Sequence, residues 1–151
     1  MQQVKIPNRI LTWTERGAEH EADPRLAEIT AEELGPETAK CVATPGTKDE
    51  GNTKPDCAEP LSGAKSSEYR ARTARLNYLA ADKPDIAFAV KELARPMGAP
   101  TSGCWDKLRR LGRYLLHRPR MVFRFDHQIF PDKLMVYTDA DWAGCKTTRK
   151  S

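Results

Sequence analysis

Leu134, Met135, Val136, Tyr137, Thr138, Asp139, Ala140, Asp141, Trp142, Ala143 and Gly144 form the stretch on which the reading of this chain turns. Four apolar residues in a row read as a buried strand, and the run ends on an aspartate. A carboxylate in that place costs free energy unless a metal, a partner group or solvent compensates it. Side chains alternate along an extended segment, so Asp139 and Asp141 share a face, where both could meet one cation. The same pattern of Asp before a small residue is a common turn former, and an Asp-x-Asp pair on its own is weak evidence of a metal site.

Immediately upstream, Met121, Val122, Phe123, Arg124 and Phe125 also have the two-residue period of a strand. A loop containing His127 and Pro131 joins the two runs, and they are expected to be neighbours in one sheet. Before Pro119 the period is helical. One helix starts near Thr101 and turns Trp105, Leu108, Leu111 or Gly112, and Leu115 inward, leaving Lys107, Arg109, Arg110, Arg113 and Arg118 outward. A second spans about 84–95, with Asp82 or Lys83 at its cap, Pro84 at its start and Ile86, Val90 and Leu93 on one face. A third runs from about 67 to 81, with Tyr69, Thr73, Leu76 and Ala80 along one stripe and Arg70, Arg72 and Arg75 mostly off it.

Residues 43–67 lose periodicity and fill with Pro, Gly, Ser, Asp and Lys, the composition of an exposed linker. Ahead of it, residues 9–22 read as a hairpin turning at Arg16 and Gly17. A helix then opens with Asp23 as N-cap and Pro24 in its first position, carries Leu26 and Ile29 on one face, and ends at Gly35. The class is α+β: a hairpin plus helix, a linker, a basic three-helix cluster, and strands that begin a further sheet.

Charge is uneven along the chain. Residues 1–67 hold 8 Lys and Arg against 12 Asp and Glu, residues 68–125 hold 13 against 5, and the remainder 4 against 4. A basic middle third suits a surface facing nucleic-acid phosphates, although a solvated helix face has the same composition. With 30% charged residues and a mean hydropathy of -0.67, the apolar material for a core is modest. No run approaches the roughly 20 apolar residues needed to cross a bilayer, and the first twenty are too polar for a secretory signal. A soluble, non-secreted chain is expected, intracellular in the cytoplasm or nucleus, with no membrane partner. Cys41, Cys57, Cys104 and Cys145 lie far apart and His20, His117 and His127 do not join them at zinc spacing, which favours reduced thiols.

The segment from Tyr137 to Gly144, with the tail Lys146, Thr147, Thr148, Arg149, Lys150, Ser151, resembles the opening of the RNase H region in copia-type LTR retrotransposon Pol polyproteins. Glu68-Tyr69-Arg70, Leu76-Asn77-Tyr78-Leu79, residues 83–90 (KPDIAFAV), Pro100-Thr101, Trp105 and residues 111–115 (LGRYL) resemble the segment that links reverse transcriptase to that RNase H. Residues 8–13 (NRILTW), 21–25 (EADPR), Glu32-Glu33-Leu34-Gly35 and Thr44-Pro45-Gly46 are similar to the region before it. Several medium-length motifs in the right order outweigh any one short pattern.

The resemblance implies a division into 1–42, the end of the reverse transcriptase region; 43–67, a linker; 68–119, a connecting helical segment; and 120–151, the start of a truncated RNase H-like sheet. It places Asp139 at the first catalytic carboxylate, a Mg²⁺ ligand in an enzyme that cleaves RNA in RNA/DNA hybrids with two divalent ions. The family's remaining RNase H carboxylates lie downstream of the motif seen here. The polymerase needs adjacent aspartates, and no two are adjacent in these 151 residues. A fragment of the polyprotein, inactive by itself, is therefore expected, with the rest of Pol and RNA/DNA hybrid or duplex as partners. Lys107, Arg109, Arg110 and Arg113, together with Arg149 and Lys150, are the residues that would meet nucleic acid. The alternatives are a non-catalytic nucleic-acid-binding module and a decayed transposon relic.

Overall fold

At Glu15 and Arg16 the chain reverses between two strands, and the geometry of that turn explains why glycine follows. The Thr14 hydroxyl donates to the Gly17 carbonyl at 3.1 Å and accepts from the Arg16 N–H at 3.3 Å. Gly17 has φ +152°, and a Cβ there would lie 2.0 Å from the Phe125 carbonyl oxygen, so only glycine fits. The expected hairpin is present as β2 (Arg9–Thr14) and β3 (Gly17–Ala22). The structure is a computed structural model, and it describes residues 2–7, 9–34, 40–47, 59–130 and 133–138.

A strand that the sequence reading did not anticipate, β1 (Gln2–Ile6), pairs antiparallel with β2. Its alternation, with Val4 and Ile6 on one face and Gln3 and Lys5 on the other, was the available signal. β4 (Val122–Asp126) pairs antiparallel with β3, so the sheet order is β1-β2-β3-β4. The expectation that 121–125 would pair with 134–137 is therefore wrong. β4 lies on β3 instead, and residues 133–138 carry no strand, with Leu134 90% and Tyr137 86% exposed. An unbroken apolar run has the pattern of a strand covered on both faces. Among the described residues nothing supplies that cover.

Helix α1 (Pro24–Leu34) starts where expected, and the Asp23 carboxylate accepts from the Arg25 N–H at 3.1 Å. Its buried face differs from the Leu26 and Ile29 stripe. Ala27, Thr30, Ala31 and Leu34 are buried, Leu26 is half-buried and Ile29 is exposed. The reason is close packing on α4 (Ser102–His117), where Gly112 lets Leu34 approach until a Cβ would lie 2.5 Å from the Leu34 Cβ. Small residues four apart on α1 permit that approach, and the Thr30 hydroxyl is satisfied by the Leu26 carbonyl at 2.7 Å. The proposed cap Gly35 lies outside the described residues.

Helix α2 (Gly63–Ala80) begins inside the stretch read as linker and buries Ser66, Tyr69, Thr73, Leu76 and Leu79. Its approach is anchored, because Leu61 N–H donates to Pro100 O at 3.0 Å and Ser102 N–H to Glu59 O at 2.9 Å. A 3-10 turn at Pro84–Ile86 leads into α3 (Ala87–Ala94), which buries Ala89, Val90 and Leu93. α4 buries Leu108, Leu111, Gly112, Tyr114 and Leu115. These side chains and those of α1 form one core. Among the described residues the architecture is a four-stranded antiparallel sheet joined to four helices, α+β as expected.

Gly112→Ala should lower stability by about 1–3 kcal/mol, the usual range for overpacking a filled contact. Chemical denaturation at equilibrium measures it, and a change within error would mean that α1 and α4 are not held at the distance described.

Candidate nucleic-acid interface

Arg109 and Arg113 are four residues apart and Arg110 and Arg113 three, so α4 gathers all three on its side away from the core. They are not equivalent. Arg109 is exposed, and among the described residues neither it nor Arg113 has an ion pair. Arg110 bends back to donate to the Thr44 hydroxyl at 3.0 Å, and its Nε is buried without a partner among the described residues. It therefore pins residues 40–47 to α4 and faces solvent less freely than the sequence suggested. Lys107 is exposed at the margin of this face. Asp139, Arg149 and Lys150, like Asp141, lie outside the described residues.

Most other cations of the basic middle third are engaged inside the fold. Arg70 donates to the Met97 carbonyl at 2.8 Å and to Gly98 O at 3.3 Å. Arg72 pairs with Glu68, donates to Glu33 O at 3.1 Å and lies 5.4 Å over the Trp105 ring. Arg75 meets Glu33 at 2.8 Å, and Arg95 meets Glu92 at 3.0 Å. Among the described residues of that third, Arg109 and Arg113 on α4 have no ion pair, nor do Lys91 on α3 and Arg118 just beyond α4.

What fixes α4 in place is a corner that sequence reasoning missed. Lys83 is 1% exposed, lies 2.8 Å from Asp85 Oδ2 and 5.8 Å over the Tyr114 ring, and the Tyr114 hydroxyl donates to the same oxygen at 2.8 Å. One residue earlier, Asp82 accepts from Arg9 Nε through both oxygens at 2.9 Å and lies 3.5 Å from His20 Nε2. Asp82 and Lys83 were read only as possible caps, and neither caps a helix by a side-chain bond. Two acids and a lysine around a proline, flanked by apolar runs, were the available signal. On the sheet side, Asp23 meets Lys5 at 3.0 Å and Arg25 at 2.6 Å, and these cations hold its carboxyl well below the usual range. Glu21 takes a two-bond contact from Arg120 at 2.6 and 2.8 Å.

Mg²⁺ is the ion the resemblance implies. Among the described residues no group of three His, Cys, Asp or Glu side chains is placed to hold a metal, and Asp139 lies outside them. No helix among them is long and apolar enough to cross a membrane. Cys41 and Cys104 are free thiols.

Comparison with known proteins bears on the origin of this arrangement. The chain is 39% identical over 118 residues, 71% of its length, to the retrovirus-related Pol polyprotein from transposon RE2 of Arabidopsis thaliana. It is 41% identical over 85 residues, 53% of its length, to the corresponding polyprotein from transposon RE1 of the same plant. The chain belongs with the retrovirus-related Pol polyproteins of transposons. It spans 7% and 5% of the length of those two relatives, so it corresponds to a segment of a larger polyprotein. An uncharacterised mitochondrial protein of Arabidopsis thaliana is 33% identical over 56% of the chain and is matched over 35% of its own length. No family model matches, and no solved structure matches.

Burial pushes the Tyr69 and Tyr114 hydroxyls up to about 12, with the hydrogen bond to Asp85 adding to the effect at Tyr114. Both are raised above the unfolded value of 10.0, so their contribution to stability is complete below pH 10.0 and is lost as pH rises towards about 12. Tyrosinate absorbance should rise together with loss of helical circular dichroism in that window. Ionisation of all four tyrosines near pH 10.0 in a folded chain would contradict the burial described.

Proposed function

We propose that this segment is the connecting region of a copia-type Pol polyprotein, between its reverse transcriptase and its RNase H, and that it holds RNA/DNA hybrid or duplex through phosphate contacts on α4. The observation that carries the reading is the pair Arg109 and Arg113, without an ion pair among the described residues and on a helix whose opposite face is locked into the core. Contacts of this kind are independent of sequence, since phosphates carry no base information. Asp139 belongs to the RNase H that follows, where it would ligate Mg²⁺ with carboxylates from other parts of the polyprotein.

Replacing Arg109 and Arg113 with Gln should weaken hybrid binding and reduce the slope of log affinity against log salt by about 1–2, close to one unit for each lost phosphate contact. Melting temperature should stay near that of the parent, whereas Arg110→Gln should lower it by detaching residues 40–47. An unchanged salt slope in the double variant would reject α4 as the interface.

The 151-residue chain by itself is expected neither to polymerise DNA nor to cleave hybrid efficiently. In the complete polyprotein, Asp139→Asn should abolish hybrid cleavage and spare polymerisation. Robust Mg²⁺-dependent cleavage by the purified segment, itself lost in Asp139→Asn, would overturn this division of labour.

A further inference from the structure

The register of the sheet sorts its residues into two unlike faces. Trp13 is opposite Ala18, and Ala18 opposite Phe125; Val4 is opposite Leu11, Leu11 opposite His20, and His20 opposite Phe123. One face thus carries Val4, Ile6, Leu11, Trp13, Phe123 and Phe125 with Gln2, Arg9 and His20 among them, while the other carries Lys5, Thr12, Thr14, Glu19, Glu21 and Arg124 with Ile10 and Val122. The apolar face is open: Trp13 is 45% and Phe125 60% exposed, and Val4 and Ile6 are exposed as well. Among the described residues no strand packs extensively on a helix, and Arg9 and His20 on this face reach Asp82, just beyond α2. Contiguous exposed apolar surface of this kind marks a place where another element packs.

Charge narrows the identity of that element. Arg9 and His20 are the ionisable side chains on the face, and both are directed at Asp82, so nothing there would attract phosphate or an acidic segment. The occupant is therefore apolar on the side it presents. It also lies on the side of the sheet from which Asp82, at the end of α2, already approaches, and so it continues the helical layer. Four strands about 4.8 Å apart make a face of roughly 15–20 Å, which matches about three helical turns of 5.4 Å.

We propose that a helix with one apolar stripe, from the part of the Pol polyprotein outside these 151 residues, covers the face formed by Val4, Leu11, Trp13, Phe123 and Phe125. The inference rests on the membership in that family, whose matched relatives extend far beyond this segment. It is independent of the α4 interface, which lies elsewhere on the fold.

Hydroxyl-radical labelling read by mass spectrometry tests it on the complete Pol polyprotein beside the 151-residue chain. Trp13 and Phe125 should label freely in the short chain at every concentration and be protected about tenfold or more in the polyprotein, a preference of ~1.4 kcal/mol for the covered state. Trp13→Glu in the polyprotein should restore labelling of Phe125 and Val4, whereas Trp13→Phe should leave both protected. Equal labelling in the two proteins, or protection that survives Trp13→Glu, would overturn the proposal. Protection in the short chain that grows with its concentration would assign the face to a second copy instead, and protection produced only by adding single-stranded oligonucleotide would assign it to nucleic acid. Salt-dependent hybrid binding by the Trp13 variants should be unchanged, so failure here is separable from failure of the α4 reading.

Discussion

The corner formed by Asp82, Lys83, Pro84 and Asp85 is the constraint on which the rest of the molecule depends. Four elements meet there: Asp82 holds β2 and β3 through Arg9 and His20, Lys83 and Asp85 hold α4 through Tyr114, and Pro84 sets the start of the turn into α3. Lys83 is almost wholly removed from water, and a carboxylate and an aromatic face surround its side-chain nitrogen. Such a pair contributes little net stability compared with an apolar substitute, and removing one partner alone is severely destabilising. Its effect is on geometry: the ion pair and the tyrosine hydroxyl accept only one orientation of α4 relative to the turn.

The seam between sheet and helices follows from the same economy of apolar material. The buried leucines, Ile86 and Val90 lie among the helices, and the sheet reaches that core only through Ala22. The remaining links are carboxylates with cations: Asp82 with Arg9, Asp23 with Lys5 and Arg25, Glu21 with Arg120. Interactions of this type fix direction well and bury little surface. They therefore leave the apolar side of the sheet available to something else, whereas a seam packed with leucine would have covered it.

The sequence made some of these features legible and hid others for identifiable reasons. The hairpin at Arg16 and Gly17, the Asp23 and Pro24 helix start, and the stripes of Tyr69, Thr73 and Leu76 and of Ile86, Val90 and Leu93 could be read because local chemistry determines them. The face of α1 could not, because alanines and a threonine are buried there to suit a glycine seventy-eight positions later. The partner of β4 could not either, since β3 lies about a hundred residues earlier and sequence proximity favoured the run at 134–137. At the interface, periodicity correctly turned Arg109 and Arg113 outward. It could not foresee that Arg110 would return to Thr44. The catalytic place of Asp139 came from the resemblance, local pattern offering only a candidate cation contact, and the residue lies outside the described residues.

These features together explain how a fold of modest hydrophobicity can present charge in a defined direction. A long arginine side chain has many rotamers, so a phosphate-binding face is only as well defined as the helix that carries it. α4 is held at two levels, by the contact of Gly112 with Leu34 on one side and by the Tyr114 hydroxyl on Asp85 at its C-terminal half. Arg113 lies between those two anchors, and Arg109 is one turn before it. Asp85, which positions the basic helix, is only three residues along the chain from Asp82, which positions the sheet. The sheet and the basic helix are thus tied to one four-residue segment, Asp82 to Asp85, in which Pro84 restricts the backbone.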